Sequence, residues 1–301
     1  MKHLYIIGDG FDIFSGLRTR YIDFRHWLQY TYPFIYENMS EAYEMDGEWW
    51  HNFEIQLGKL DVKKYVKKFT SPAKPIEKIL KENEERKAFD KEYNLPPSLH
   101  HDSDCARRLK GLLDVLQYCF ERWIEDTMSM ITNPKYTHLE RKDSYFINFN
   151  YTDVLQWLYH IKDEQILFIH GRASKHEHLV FGHNSTHMGG MIGQDEEQTN
   201  FELDKYNKNP YVYISKHNEL LDILSDVEYV HVYGFSISEV DEDYLDWIEG
   251  HTPSDSKWEF SWYSEDDKVR IARFILSHLR LKDRYSLMQL QEIPREVALK
   301  N

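Results

Sequence analysis

Apolar residues form short runs at the start of the chain and again after residue 140, with segments of helical length between them. Runs of this length are typical of buried strands, and their separation by helices favours a mostly parallel sheet that is covered on both faces. We therefore predict an α/β fold with a Rossmann-like sheet. Its predicted strands are residues 4–7, 145–149, 166–169, 179–181, 227–233 and 258–263.

The segment between the first two predicted strands, residues 35–140, shows a helical period instead. Its clearest helix is predicted at about residues 103–132, where the apolar residues keep one face. No Gly- or Ser-rich linker separates a second domain, so we predict one α/β domain, residues 1–301, with a helical insertion at residues 35–140 that covers the ligand edge as a lid. Another amphipathic helix is predicted at residues 266–281, with an inner face formed by Val269, Ala272, Ile275, Leu276 and Leu279.

Composition narrows the class of protein. The 301 residues include 37 Lys and Arg against 51 Asp and Glu, a formal net charge of −14, which argues against coating nucleic acid through bulk charge. Hydrophobic residues make up 41% of the chain, enough for a buried core. The two cysteines, Cys105 and Cys119, cannot form a disulfide framework or a four-thiolate zinc site. Because no run of about 20 apolar residues occurs either, we expect a cytoplasmic protein without a membrane span.

A glycine turn, Gly8-Asp9-Gly10, stands between the first predicted strand and a predicted helix. Glycine lets the backbone approach a phosphate, and the first N–H groups of a helix favour an anion. The third glycine of the common dinucleotide pattern is replaced by Ile13, and Asp9 brings a carboxylate close to the turn. On these residues alone, a nucleotide site and an ordinary strand-to-helix turn both stay open.

Two polar residues, Asn150 and His170, follow predicted strands at their carboxyl ends, where open α/β sheets hold ligands. A carboxamide can contact a ribose or an ordered water, and an imidazole can take a proton from either. The structural alternatives are a turn or cap before the next helix for Asn150, and an ordinary hydrogen bond for His170.

A third group of candidates follows the strongest predicted strand. Gly234 and Ser236 could accept a phosphate or a ribose, and the carboxylates of Asp241 and Asp243 begin a predicted helix, as ordinary caps or as ligand contacts. Histidines also crowd residues 170–187, but they lack the glutamate of the zincin motif, so we predict no metal site.

The order of these short motifs resembles the AbiH family of bacteriophage abortive-infection proteins, which are distant relatives of sirtuin-like NAD-binding enzymes. The residues that carry the resemblance are Gly8-Asp9-Gly10-Phe11-Asp12, Gly16-Leu17, Thr19, Tyr21, Asp23-Phe24, Asn148 to Asp153, Ile169-His170-Gly171, Phe181 to Asn184, and Tyr233 to Ile237 with Asp241 and Asp243. The chain departs from the family pattern at Asp9, where Asn is expected, and at Ser15, where His is common.

The resemblance implies a sirtuin-like sheet in which Asn150 and His170 are the catalytic residues. It also implies a set of contacts to the nucleotide: Gly8, Gly10, Phe11, Asp12, Thr19, Phe24, Gly234, Ser236 and Asp243. Because the zinc-binding cysteines of sirtuin deacylases are absent, hydrolysis or sensing of the nucleotide is what the resemblance implies, rather than deacylation.

We therefore expect an anti-phage effector that hydrolyses NAD⁺ to nicotinamide and ADP-ribose, with NAD⁺ as substrate and no prosthetic group. Activation by a protein or nucleic acid of the same defence system stays open, and so does assembly into a homo-oligomer. One alternative is a module that senses NAD or a related nucleotide without chemistry. Another is a metal-dependent nuclease or nucleotidase built on Asp241, Asp243 and the histidines.

Overall fold

The computed structural model describes residues 2–45, 48–69, 105–183, 194–217, 219–238 and 241–300. The chain divides into two compact units, each built from separate segments. Unit 1 consists of Met1–Arg20, Ile124–Val180 and Asn209–Asn301, and unit 2 of Tyr21–Trp123 and Phe181–Lys208. That residues 35–140 form a lid stays a prediction.

Unit 1 contains a six-stranded sheet in which every neighbouring pair of strands is parallel. Its strands are β1 (His3–Ile7), β2 (Ser144–Asn148), β3 (Ile166–Phe168), β4 (Tyr229–Tyr233), β5 (Lys257–Ser261) and β6 (Tyr285–Met288). The order across the sheet is β3-β2-β1-β4-β5-β6, the order of the Rossmann fold, and its direction reverses between β1 and β4. The predicted α/β class and Rossmann-like parallel sheet are thus confirmed.

The helices of the described residues surround this sheet in unit 1 and make up unit 2. In chain order they are α1 (Asp9–Phe14), α2 (Tyr21–Thr31), α3 (Pro33–Tyr43), α4 (Phe53–Leu57), α5 (Val62–Phe69), α6 (Cys105–Ser129), α7 (Val154–Tyr159), α8 (Gln194–Asp204), α9 (Pro210–Ile214), α10 (Glu219–Leu224), α11 (Glu242–His251), α12 (Glu265–Ser277) and α13 (Arg295–Ala298). Among these residues, no helix combines the length and the apolar character that crossing a membrane requires.

The central strands are apolar because both faces of the sheet are covered. Leu4 and Ile6 face one buried cluster, and Tyr5 and Ile7 face the other, so β1 is a continuous apolar run without alternation. Ile7 is in register with Asn148 of β2 and with Tyr233 of β4. The carboxyl ends of three adjacent strands therefore lie level at one edge of the sheet.

Three sequence predictions about elements are wrong or incomplete. Residues 179–181 form no strand, and β6 was not predicted. The tail helix ends at Ser277, and its buried residues are Ile271, Phe274 and Ile275, whereas Val269, Leu276 and Leu279 of the predicted inner face are exposed. Ile275 of the predicted face is buried, but apolar residues occur on both sides of this helix, so periodicity alone did not identify the rest of the buried face.

Candidate functional site

The turns that follow β1 and β4 pack together backbone against backbone. The Gly10 N–H donates to the Gly234 carbonyl oxygen at 2.8 Å, and the Gly8 N–H donates to that of Tyr233 at 3.0 Å. A Cβ on Gly8 would lie 2.7 Å from the Gly234 oxygen. Gly234 itself has φ +63°, and a Cβ there would lie 2.0 Å from the Phe11 nitrogen. These three glycines are required because two turns cross without room for a side chain.

This packing also occupies backbone N–H groups that were predicted to bind a phosphate. The Phe11 N–H donates to the Gly8 carbonyl oxygen at 2.9 Å, and the Gly10 N–H is bonded to Gly234. Two N–H groups that were expected to face a phosphate are thus bonded to protein carbonyls. The packing explains the glycines without a ligand, and a phosphate contact at this turn stays a prediction.

Asn150 ties the turn after β2 to the turn after β1. Its side-chain Nδ2 donates to the Gly8 carbonyl oxygen at 3.0 Å, and its own N–H donates to Oδ1 of Asn148 at 3.1 Å. The hydroxyl of Thr152 donates to Oδ2 of Asp12 at 2.6 Å. All of these side chains are buried. The predicted residues Gly8, Asp12 and Asn150 therefore belong to one hydrogen-bonded network at the sheet edge.

Asp12 is buried in α1, and this burial raises the pKa of its carboxyl group from 3.8 to about 8. The negative charge of Asp9 raises the pKa further, whereas hydrogen bonds from Thr152 and Asn150 lower it. At neutral pH the protonated, uncharged form predominates. A neutral carboxyl group removes one source of repulsion between this turn and an anionic ligand.

His170 follows β3 and lies at the same edge. Its Nδ1 is 3.2 Å from the Phe149 carbonyl oxygen, and its Nε2 is 3.5 Å from Oδ1 of Asp241. The ring centroids of Phe149 and Tyr244 lie 5.3 Å and 5.8 Å from that of the imidazole, in edge-to-face geometry. The sequence singled out Asp241 as a cap or a ligand contact, and its pairing with His170 was missed.

The other predicted contacts lie in different environments. Phe11 and Thr19 are buried in unit 1, whereas Ser236 and Asp243 are exposed. Phe24 belongs to unit 2, where its ring packs against the aromatic side chains of Trp27, Trp50, Phe53, Phe120 and Trp123. These are the surroundings of a core residue, and a contact between Phe24 and a nicotinamide ring stays a prediction.

The loop after β4 contains a strained residue that the sequence did not indicate. Ile237 has φ +45° and is buried in the core of unit 1. A β-branched side chain rarely adopts a positive φ, and such strain costs about 1–3 kcal/mol. Strained residues cluster at functional sites, so this loop joins the candidate site on structural grounds.

The histidines after His170 are distributed between the two units. His176 and His178 are exposed in unit 1. His183 is buried in unit 2, with Nε2 3.2 Å from the Leu203 carbonyl oxygen. His187 lies outside the described residues.

Comparison with known proteins gives one match, to a protein family. The family described as bacteriophage abortive infection AbiH matches residues 4–262, which include β1 except for its first residue, strands β2 to β5 and segments of both units. No curated protein and no solved structure matches the chain. Since the family match spans most of the sequence, the chain belongs to the AbiH family of bacteriophage abortive-infection proteins.

Proposed function

We propose that this AbiH protein acts in phage defence by binding NAD⁺ at the carboxyl edge of its sheet and hydrolysing it to nicotinamide and ADP-ribose. The observation that supports the site is the reversal of strand order between β1 and β4. Open α/β sheets bind ligands outside the carboxyl ends of their strands at such a point. Asn150, Asp12 and His170 all follow strands at this edge.

The proposed chemistry makes modest demands on the protein. The bond between the ribose and nicotinamide breaks with its electron pair on the nicotinamide nitrogen, so the leaving group departs as a neutral molecule. Positive charge develops on the ribose, and a water attacks it and loses a proton. The protein must position the ribose and the water and must take that proton. We expect Asn150 and His170 to be needed for these tasks.

A second candidate function is nucleotide sensing without hydrolysis. It is favoured by the burial of the two predicted catalytic residues, since the whole residue is 5% exposed for Asn150 and 1% exposed for His170. Each also bonds to a backbone carbonyl, of Gly8 and of Phe149 respectively. Such contacts are those of residues that stabilise a fold, so both functions are to be tested together.

The test is to incubate the purified protein with NAD⁺, with and without EDTA, and to follow nicotinamide by chromatography. Hydrolysis predicts nicotinamide in both conditions, whereas loss with EDTA would favour the metal-dependent alternative. A rise in Tm with NAD⁺ but no nicotinamide, with the activating protein or nucleic acid present, would favour the sensor.

Two variants test whether Asn150 and His170 are needed for the proposed hydrolysis. Asn150→Ala and His170→Ala should retain the NAD⁺-dependent rise in Tm and lose about 10²–10⁴ in turnover. His26→Ala, which removes an exposed imidazole from α2, is the matched control and should turn over like the parent. Parent rates in both site variants would show that Asn150 and His170 are structural.

A further inference from the structure

His170 lies between two groups that only accept hydrogen bonds. The Phe149 carbonyl oxygen is 3.2 Å from Nδ1, and the Asp241 carboxylate is 3.5 Å from Nε2. While Asp241 is ionised, neither group has a proton to offer, and a neutral imidazole has one N–H. Only the imidazolium form presents an N–H to both neighbours at once. The Nε2–Oδ1 contact has the distance of an ion pair but not the geometry of a hydrogen bond, and it becomes an attraction between charges when His170 is protonated beside the carboxylate.

Asp241 does not perform the usual task of its position. It is the residue before α11, where an aspartate normally accepts hydrogen bonds from the first backbone N–H groups of the helix. Its side chain makes no such capping bond, and its Oδ1 approaches His170 instead. This carboxylate is therefore oriented towards the imidazole and does not act as a helix cap.

Aromatic side chains also contact His170. Phe149, Tyr151 and Tyr244 surround the ring, with centroids at 5.3, 6.1 and 5.8 Å. Tyr151 donates its hydroxyl proton to the Val180 carbonyl oxygen at 3.1 Å. Among the described residues, the titratable groups that contact His170 include Asp241 and the two tyrosines, and of these three the carboxyl group is the most acidic.

The side chains of His170 and Asp241 differ in their exposure to solvent. The side chain of His170 is 2% exposed, whereas that of Asp241 is 17% exposed. A proton acceptor must come within hydrogen-bond distance of the water that it activates. Of the pair, the Asp241 carboxylate is the better placed for this contact.

We infer that Asp241 is the catalytic residue that accepts the proton in the proposed hydrolysis, and that His170 is a positioning residue that holds its carboxylate. The inference rests on the proposed function. As the ribose–nicotinamide bond breaks, the water oxygen bonds to the ribose carbon. One proton of the water passes to the Asp241 carboxylate and then to solvent, so the products are nicotinamide, ADP-ribose and one proton.

Nuclear magnetic resonance of the full chain with ¹⁵N-labelled histidine tests the pair without substrate. His170→Gln identifies the His170 signals by difference, and contacts with the rings of Phe149 and Tyr244 identify them if that variant does not fold. At pH 7 we expect protons on both ring nitrogens of His170. In Asp241→Asn, one nitrogen should be unprotonated, because the carboxamide carries no charge and can donate its own N–H. An unprotonated ring nitrogen in the parent would overturn the inference.

Turnover supplies the second readout. Asp241→Asn should lower nicotinamide release about 10²–10⁴-fold and retain the NAD⁺-dependent rise in Tm. Glu242→Gln, which removes a neighbouring carboxylate from the first turn of α11, should turn over like the parent. His170→Gln should move the acid limb of the pH profile to higher pH, because the carboxylate loses its cation.

The outcomes separate the two proposals. If the parent releases no nicotinamide, hydrolysis fails, and the protonation of His170 still decides whether the ion pair exists. Parent turnover in Asp241→Asn, or an unshifted pH profile in His170→Gln, would overturn the role of Asp241 while leaving hydrolysis in place.

Discussion

At the scale of single residues, the buried carboxyl group of Asp12 links the chemistry of the site to the stability of the fold. The native state keeps a proton on this group up to about pH 8, whereas the unfolded chain releases it near 3.8. The native state therefore binds more protons between these values. Stability contributed by protonated Asp12 is full at low pH and is lost as the pH rises from about 4 towards about 8.

We predict that Asp12→Asn removes this loss. The carboxamide has the shape of the neutral carboxyl group and cannot ionise. Relative to the variant, the parent should lose free energy of unfolding between pH 5 and pH 8.5, as measured from urea midpoints. Asp283→Asn, at an exposed position, should follow the parent at both pH values. Parallel pH profiles for the parent and Asp12→Asn would contradict the raised pKa.

The crossing of the two glycine turns gives a second prediction. Gly234→Ala should lower the free energy of unfolding by more than about 1 kcal/mol, because the new Cβ meets the Phe11 nitrogen and the positive φ is strained. Gly250→Ala is the matched control, since a Cβ there has no atom within 4 Å and the residue lies in α11. It should be neutral or stabilising by about 0.5–1 kcal/mol in urea unfolding. Equal effects would show that the crossing is not tight.

The sequence predicted where Asn150 and His170 stand but not what they contact. Both residues follow strands, and the end of a strand can be predicted from the end of an apolar run in the sequence. Their partners are distant in the chain: Asn150 bonds to Gly8 across 142 positions, and Asp241 belongs to another element. No local sequence pattern predicts these contacts between distant residues, because they depend on the order of strands in the sheet.

At the scale of elements, strands that are buried on both faces were the most predictable. The predicted runs at residues 4–7 and 145–149 correspond to β1 and β2 within a residue. β6 was missed because it is a short, mostly exposed edge strand whose sequence, Tyr-Ser-Leu-Met, has no continuous apolar run. The segment at 179–181 is apolar and buried but forms no strand, and its sequence pattern is the same as that of a buried strand.

The start of α12 provides a prediction about an element. Ser264 Oγ accepts from the Asp267 N–H at 3.2 Å, and the Asp267 carboxylate accepts from the Ser264 N–H at 2.8 Å. Ser264→Ala should lower the free energy of unfolding by about 1 kcal/mol in urea titrations. Ser277→Ala, at the other end of α12, removes no cap and should change it by less than about 0.5 kcal/mol. A smaller effect at Ser264 than at Ser277 would rule out the cap as a stabilising contact.

At the scale of the whole molecule, each of the two units is built from segments that are separated in the sequence. The second segment of unit 2 is Phe181–Lys208. Within unit 2 this segment is joined to the earlier one by an ion pair. Nζ of Lys208 lies 2.7 Å from Oε1 of Glu54, and the Lys208 side chain is 1% exposed. Removing one member of a buried pair leaves the other charge without compensation.

We predict that Lys208→Met lowers the free energy of unfolding by about 3–5 kcal/mol. Amide hydrogen exchange should also accelerate in α4, which carries Glu54. Lys205→Met is the control, because Lys205 pairs with Glu202 at the surface, and it should cost less than about 1 kcal/mol. Adding Glu54→Gln to Lys208→Met should recover part of the loss, and no recovery would mean that the lost contacts are not electrostatic.

The position of β1 in the middle of the sheet has a consequence for synthesis. Its neighbours β2 and β4 begin at Ser144 and Tyr229, far along the chain. At roughly 5–20 residues per second, roughly 10–40 seconds pass on the ribosome between the completion of β1 and the start of β4. During this time an uncharged strand, Leu4-Tyr5-Ile6-Ile7, has an unpaired edge of the kind that associates with other chains. The earliest strand to be made therefore waits for a neighbour from the second half of the chain, so the yield of folded protein should depend on chaperones that bind the nascent chain.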